Sequence, residues 1–587
     1  MQAAGAARES GTAILTNSTR GRQIMRSEPS YVCGTSATPL IGETIGAHFD
    51  RVVALHGDRG AIVSRHQSIR WTWRELRERV DKLAVSLRRL GLATGDRIGV
   101  WAPNCAEWTL TQFAAAKAGL ILVTINPAYR RSELAYVLEK VGCKALVLAP
   151  SFKTSDYLAI LGSLAPEIER SAPGTLAAAA LPSLRCVIRL GPDTSPGMLN
   201  FDSLLAPATA AELGELAALG ETLQFDDAIN IQFTSGTTGQ PKGATLTHHN
   251  ILNNAARTVR AIGLEAGDRL CIPVPLYHCF GMVTGNLGCL TSAATMVYPE
   301  AGFDPRAVLE TVEAERCVAL YGVPTMFIAE LGHPDFERYD LSSLRTGIMA
   351  GSPCPIEVMR KVVERMHMRE VTIAYGMTET SPVSFQSATS DPLDRRVSTV
   401  GRIHPHTEVK IVDLDGRIVP RGKPGELCTR GYSVMRGYWD DPGKTAEAID
   451  AAGWMHTGDL ATLDDEGYCN IVGRSKDVVI RGGENIYPRE VEEFLYRHPK
   501  IQDVQCVGVP DAKFGEVLCA CVIAKAGVEV DDAELRAFCA DEIAHYKVPH
   551  YFRFVETFPM TVTGKIQKYV LRQTMAAELG LRAEKTA

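Results

Sequence analysis

Between residues 60 and 375 the chain alternates short apolar runs with segments of helical spacing, and this alternation narrows its fold more than any other feature. Runs at 61–64, 97–102, 120–125 and 145–149 read as strands. Segments at 44–55, 71–91, 107–118 and 131–141 read as helices. In 71–91, Leu76, Val80, Leu83, Leu87 and Leu90 line one side and Gly91 is a natural stop. Strands separated by whole helices pair in parallel, because a tight hairpin joins only antiparallel neighbours. The pattern therefore predicts parallel α/β layers. It weakens over 151–225, which is rich in Ala and Pro and reads as peripheral insertions. It resumes with strands at 228–233, 269–274, 295–297, 319–321, 347–350 and 372–374.

From about Glu408 the texture changes to antiparallel-looking strands at 408–412, 425–429 and 468–472, a β-rich subdomain. A boundary is expected at Gly473-Arg-Ser-Lys-Asp477. Beyond it, helices at 488–497 and 531–544 and strands at 504–509 and 517–524 read as an α+β domain of ordinary size. The 587 residues exceed what one core supports. The expected architecture is thus α/β, with a large domain over 39–474 and a smaller one over 475–587. The large domain would hold two parallel-type α/β subdomains and the β-rich one.

A net charge of −6 and the lack of a basic stripe argue against a nucleic-acid partner. No apolar stretch reaches membrane-spanning length: 114–123 is interrupted by Lys117 and 175–181 is short. Peripheral membrane contact stays open, and the sequence sets no oligomeric state. The 15 cysteines contain no CxxC pair and read as reduced, without structural disulfides; the nearest two, Cys519-Ala-Cys521, read as buried in preference to metal-binding. Residues 1–38 carry Arg8, Arg20, Arg22 and Arg26 against only Glu9 and Glu28. They read as a disordered tail, with the protein cytoplasmic, or as a transit peptide, with the protein in the mitochondrial matrix.

The strand at 228–233 runs into Thr234-Ser-Gly-Thr-Thr-Gly-Gln-Pro-Lys-Gly243. Gly236 and Gly239 let backbone approach a ligand closely. Thr234, Ser235, Thr237 and Thr238 supply hydroxyls and Lys242 a cation. Donors at this density suit a polyphosphate, whereas an ordinary surface turn has no use for them. A Walker loop would place Ser or Thr after the lysine. Here Pro241 precedes Lys242 and Gly243 follows it, which disfavours a P-loop kinase or ATPase.

This loop resembles the phosphate-binding signature of the adenylate-forming superfamily of acyl-CoA synthetases, peptide-synthetase adenylation domains and luciferases. Further motifs follow in that superfamily's order: Pro275-Leu-Tyr-His-Cys-Phe-Gly281, Met349-Ala-Gly-Ser-Pro353, Tyr375-Gly-Met-Thr-Glu379, Trp454-Met-His-Thr-Gly-Asp-Leu460, Gly473-Arg-Ser-Lys-Asp477, Gly482-Gly-Glu-Asn-Ile486 and Thr563-Gly-Lys565. The likeness covers nearly all of the chain after residue 38. With Ser30-Tyr-Val-Cys-Gly-Thr-Ser36, it is nearest to fatty-acid ligases of the acyl-CoA synthetase family member 2 type.

The resemblance implies an AMP-binding domain followed by a mobile C-terminal domain that turns about Lys476. It implies that ATP meets the loop Thr234–Lys242, with Gly236 and Gly239 at its bends. Gly351 and Ser352 would lie against the nucleotide and Tyr375 would stack on adenine. Thr378 would donate to the α-phosphate and Glu379 would hold Mg²⁺. Asp459 would take the ribose hydroxyls and Arg474 the ribose or phosphate. His278 would line the acyl pocket near the carboxylate. Gly482 and Gly483 would border the channel for coenzyme A, and Lys565 would stabilise charge during adenylation. A carboxylic acid would be activated as acyl-adenylate and passed to coenzyme A.

Candidate pocket residues Tyr277, Val283, Tyr321, Gly322, Val323, Thr325, Ala350 and Met377 are mostly apolar, and Gly322 and Gly351 leave room. A medium- to long-chain fatty acid is therefore expected. The alternatives are an adenylation module serving a carrier protein, disfavoured because only residues 566–587 follow Lys565, a luciferase-type oxygenase, and a non-catalytic nucleotide-binding homologue.

Overall fold

The structure is a computed structural model and describes residues 28–234, 240–352, 354–474, 476–481, 484–511, 513–540, 542–561 and 565–581. Two large sheets carry the expected α/β layers. In the first, strands run in the order Leu199–Asn200, Cys186–Arg189, Ala145–Leu148, Arg97–Trp101, Ile121–Thr124, Ala228–Thr234, Lys242–Thr247 and Gly437–Tyr438. All pairs are parallel as far as Ala228–Thr234, and the last two strands are antiparallel. The second sheet holds Glu370–Gly376, Thr346–Ala350, Ala319–Gly322, Arg269–Cys271, Thr295–Tyr298 and Gly60–Ser64 in parallel, with antiparallel strands at both edges.

The central strands are continuous apolar runs because both faces are covered, as parallel sheets require. Ile98, Val100 and Trp101 are buried, as are Leu146, Val147 and Leu148. The Trp101 ring stacks on Tyr157 at 3.7 Å between centroids. The helix Trp73–Arg89 buries Leu76, Val80, Leu83 and Leu87. It starts two residues later than its spacing predicts. Thr72 ends the strand Ile69–Thr72 and caps the helix in a reciprocal box with Glu75.

An antiparallel sheet of Tyr31–Cys33, Thr407–Val412, Gly425–Gly431, Met455–Leu463 and Cys469–Arg474 forms the β-rich subdomain. The C-terminal domain packs Pro488–Leu495 and Lys568–Glu578 against a sheet centred on the long hairpin Ile501–Asp511 and Gly515–Ala524.

Three expectations need correction. The segment 151–225 is not wholly peripheral, since Cys186–Arg189 is a fully buried strand between two others of the first sheet. Its apolar run ends at Arg189 and sits among turns rich in Pro, Ser and Gly, so it does not stand out from its surroundings. Residues within 28–38 join the folded body, not the tail expected over 1–38: Tyr31, Val32 and Cys33 pair with Lys410, Val409 and Glu408, and Arg257 donates to the Thr38 carbonyl at 2.7 Å. The helix expected over 531–544 is Asp532–Cys539, ending where Ala540 turns extended. Every cysteine but Cys33 is buried, Cys519 and Cys521 among them as expected.

Candidate active site

Thr234, Gly322, Ala350 and Gly376 all stand at the carboxyl ends of parallel strands. In open α/β sheets this is where ligands bind, because the loops leaving those ends splay into a crevice. Both large sheets deliver their ends to the same place, and the β-rich sheet adds Asp459 and Arg474 as cross-strand partners.

Thr234 and Lys242 face each other across the hairpin that encloses the glycine-rich loop. Ser235, Gly236, Thr237, Thr238 and Gly239 lie outside the described residues, as do Gly482, Gly483 and Thr563. The Thr234 hydroxyl donates to Glu379 Oε1 at 3.3 Å, and Tyr438 donates to the same oxygen at 2.8 Å. Lys242 Nζ stands 4.4 Å from the centroid of the Tyr438 ring. Glu379 and Thr378 are both buried, in a single helical turn after the strand Glu370–Gly376.

Asp459 binds two of the expected residues at once. Tyr375 donates its hydroxyl to Oδ2 at 2.6 Å, and Arg474 approaches Oδ1 at 3.0 Å. Burial and the Asp459 charge raise the Tyr375 pKa, so the phenol stays a donor. Gly351 adopts φ +89°, a left-handed conformation that side chains resist, at the turn where Ser352 follows.

His278 lies in the connection after the strand Arg269–Cys271, just before a π-helix, Phe280–Leu287, a form that occurs mostly at functional sites. The Phe280 N–H donates to His278 Nδ1 at 3.2 Å, which assigns the ring proton of a neutral imidazole to Nε2. Burial, reinforced by the Lys565 charge, lowers the His278 pKa to about 3. The ring is therefore neutral at physiological pH. Gly281 allows this turn, because a Cβ there would lie 2.3 Å from the Pro275 carbonyl oxygen.

Lys565 comes from the C-terminal domain and reaches this cluster. Its Cε is 3.9 Å from where a Gly351 Cβ would stand. Its backbone is held on a small β-bridge: Lys565 N donates to Thr561 Oγ1 at 3.0 Å and Thr561 N to the Lys565 carbonyl at 2.7 Å. Burial lowers its pKa, and the Arg474 charge adds to the shift. Lys476 lies on the exposed turn that leaves the strand Cys469–Arg474.

Of the candidate pocket residues, Val283 and Tyr321 are fully buried in the core, and Phe280 stacks on Tyr321 at 5.4 Å. The hydroxyls of Tyr277 and Tyr321 have no hydrogen-bond partner among the described residues. Gly322 does not leave open room as expected, because a Cβ there would meet the Phe327 ring at 2.9 Å. Sequence reasoning missed Tyr438. It lies 59 residues from the Glu379 it contacts, and nothing local to Gly437-Tyr-Trp439 marks it.

The AMP-binding enzyme family model matches residues 49–439, and the model of that family's C-terminal domain matches 490–565. The chain belongs to the AMP-binding enzymes. It is similar to the medium-chain acyl-CoA ligase ACSF2, mitochondrial, of Danio rerio, 48% identical over 555 residues that span 94% of this chain and 91% of that protein. The Homo sapiens ligase of the same name is 46% identical over 558 residues, 94% of this chain and 91% of that one. Among solved structures it resembles the anthranilate CoA ligase AuaEII in complex with anthranoyl-AMP, with a TM-score of 0.81 and 26% identity over 93% of this chain and 99% of that one. ATP-bound MatB from Rhodopseudomonas palustris matches at a TM-score of 0.76 and 29% identity over 90% of this chain and 99% of that one. Among the described residues no helix is long and apolar enough to cross a membrane.

Proposed function

We propose that the protein is an AMP-forming acid–thiol ligase that activates a medium-chain fatty acid with ATP and transfers the acyl group to coenzyme A. The observation that carries this reading is Lys565, delivered by the C-terminal domain to the strand ends where Gly351, His278 and Arg474 gather. In the first step a carboxylate oxygen attacks the α-phosphorus. The bond to the leaving pyrophosphate breaks and acyl-adenylate remains. Charge grows on the phosphoryl oxygens, and Lys565 and Lys242 are the cations placed to offset it. Asp459 takes the ribose hydroxyls, Tyr375 holds the base, and neutral His278 borders the carboxylate without competing for its charge.

Glu379 offers a carboxylate of the kind Mg²⁺ prefers, held in position by hydrogen bonds from Tyr438 and Thr234. Bound there, the ion supplies charge neutralisation at the phosphates. In the second step the C-terminal domain turns at Lys476 and withdraws Lys565. Gly482 and Gly483 then border the path of coenzyme A. The thiol sulfur attacks the carbonyl carbon, the bond to AMP breaks, and the thiol proton passes to solvent. One crevice runs two reactions by exchanging the residues that line it.

The apolar lining of Val283, Tyr321 and Phe280, together with the names of the ACSF2 relatives, supports a medium chain. Pyrophosphate exchange is expected to collapse in Lys565→Ala, and survival at the wild-type rate overturns the role given to Lys565. A panel of acids of increasing length, with AMP release measured with and without coenzyme A, tests the whole reading. Turnover should peak at medium length and depend on the thiol, and its failure on every acid overturns it.

A further inference from the structure

We infer that Tyr438 is the residue that positions Glu379 for the divalent cation, an inference that rests on the reading of Glu379 as the metal-holding carboxylate. Tyr438 ends the edge strand Gly437–Tyr438, which pairs with Ala244 and Thr245 just beyond the glycine-rich loop. Its backbone is pinned on every side. Tyr438 N donates to Thr445 Oγ1 at 2.9 Å, Arg436 N to the Thr245 carbonyl at 2.9 Å and Trp439 N to the Gly243 carbonyl at 2.7 Å. Gly437, at φ +145°, leaves no space for a Cβ, which would lie 2.9 Å from Thr445 Cγ2.

From this fixed base the segment grips Glu379 twice. Met435 N donates to the Glu379 carbonyl at 2.9 Å, and the Tyr438 hydroxyl donates to Oε1 at 2.8 Å. Thr234 donates to that same oxygen at 3.3 Å. Both described donors therefore fall on Oε1, which reserves Oε2 for a cation and sets the rotation of the carboxylate plane. A buried carboxylate with one oxygen fixed loses little further freedom when a metal binds, so less of the binding energy is spent on ordering it. The same ring carries Lys242 over its face at 4.4 Å. Tyr438 thus sets the spacing between the cation offered to the phosphates and the carboxylate offered to the metal.

The test uses Mn²⁺ as probe on the full-length protein with a non-hydrolysable ATP analogue, its free concentration read by electron paramagnetic resonance. Tyr438→Phe removes one hydroxyl and keeps the ring. It is expected to weaken Mn²⁺ binding at least about tenfold, the lower end of what one lost hydrogen bond to a charged acceptor costs, and to leave metal-free nucleotide affinity unchanged. The Mg²⁺ concentration for half-maximal pyrophosphate exchange should rise by a similar factor, and saturating Mg²⁺ should restore the rate, which a damaged fold would not allow. In Tyr438→Phe/Thr234→Val the two effects should be non-additive, since both donors share one oxygen. Glu379→Gln separates the two claims. If it keeps wild-type Mn²⁺ affinity, the metal reading of Glu379 falls and this inference with it. If Glu379→Gln loses the ion while Tyr438→Phe keeps it, the role of Tyr438 alone is overturned.

Discussion

At the residue scale the crevice is organised by charges that have few ways to arrange themselves. Asp459 is buried and already committed to Tyr375 and Arg474. Replacing it by Asn removes a charged acceptor worth about 1.5–3 kcal/mol. The KM for ATP should therefore rise about 10- to 100-fold in Asp459→Asn, measured at saturating acid, while the KM for acid stays near wild type. Lys565 gives a pH dependence of definite sign. Its pKa is lowered by burial and by Arg474, and the proposed step needs it charged. Pyrophosphate exchange should therefore decline on the alkaline side before an ordinary lysine would lose its proton. Lys565→Arg, which stays charged, should shift that limb upward whatever its maximal rate. His278 adds no acid limb, because it stays neutral down to about pH 3.

The motif residues were legible because the chemistry of polyphosphate binding demands unusual residues in a row, as in Thr234–Lys242, or because they match a known order of motifs, as with Asp459 and Lys565. Tyr438 was not legible. Its function lies in a contact across 59 residues, made by an ordinary aromatic on an edge strand.

Among elements, the strands that form the two parallel sheets were readable because burial on both faces leaves an unbroken apolar run, as in Ile98–Trp101 and Leu146–Leu148. Cys186–Arg189 shares that burial and the length of Ala145–Leu148, but it ends in a charged residue and lies between turns rich in Pro, Ser and Gly. Tyr31–Cys33 is shorter and has one partner strand. Neither stands out from loop. The π-helix Phe280–Leu287 is likewise invisible in composition, yet Gly281 betrays its constraint once the backbone is known. Gly281→Ala forces a methyl against the Pro275 carbonyl. It should cost about 1–3 kcal/mol in urea denaturation. It should also depress kcat/KM for the acid by displacing His278, with ATP binding spared. An effect on stability alone would separate the π-helix from the acyl site.

At the scale of the whole molecule, the C-terminal domain meets the large one through a set of described polar contacts. Besides Lys565, the C-terminal domain touches the large one through Arg489, which donates to the Ile471 carbonyl at 3.1 Å, and through Glu493, which accepts from Ile356 N at 3.5 Å. The two side chains also stand 3.9 Å apart, and burial raises the Glu493 pKa. In the cycle proposed above, this is a small polar clasp on the adenylation side. Arg489→Ala should favour the other orientation. Single-turnover formation of acyl-adenylate should slow several-fold, while transfer from preformed adenylate to coenzyme A holds its rate or gains. A uniform loss in both half-reactions would assign the clasp to folding instead.

Watching that turn directly is made simpler by where the sulfur atoms lie. Cys33, on the outer strand of the β-rich sheet, is the exposed thiol, and every other one is buried. A maleimide dye added to the native protein should report at that position without any cysteine having to be removed. One engineered thiol on the C-terminal domain would then complete a donor–acceptor pair, ready for recording the reaction cycle one molecule at a time.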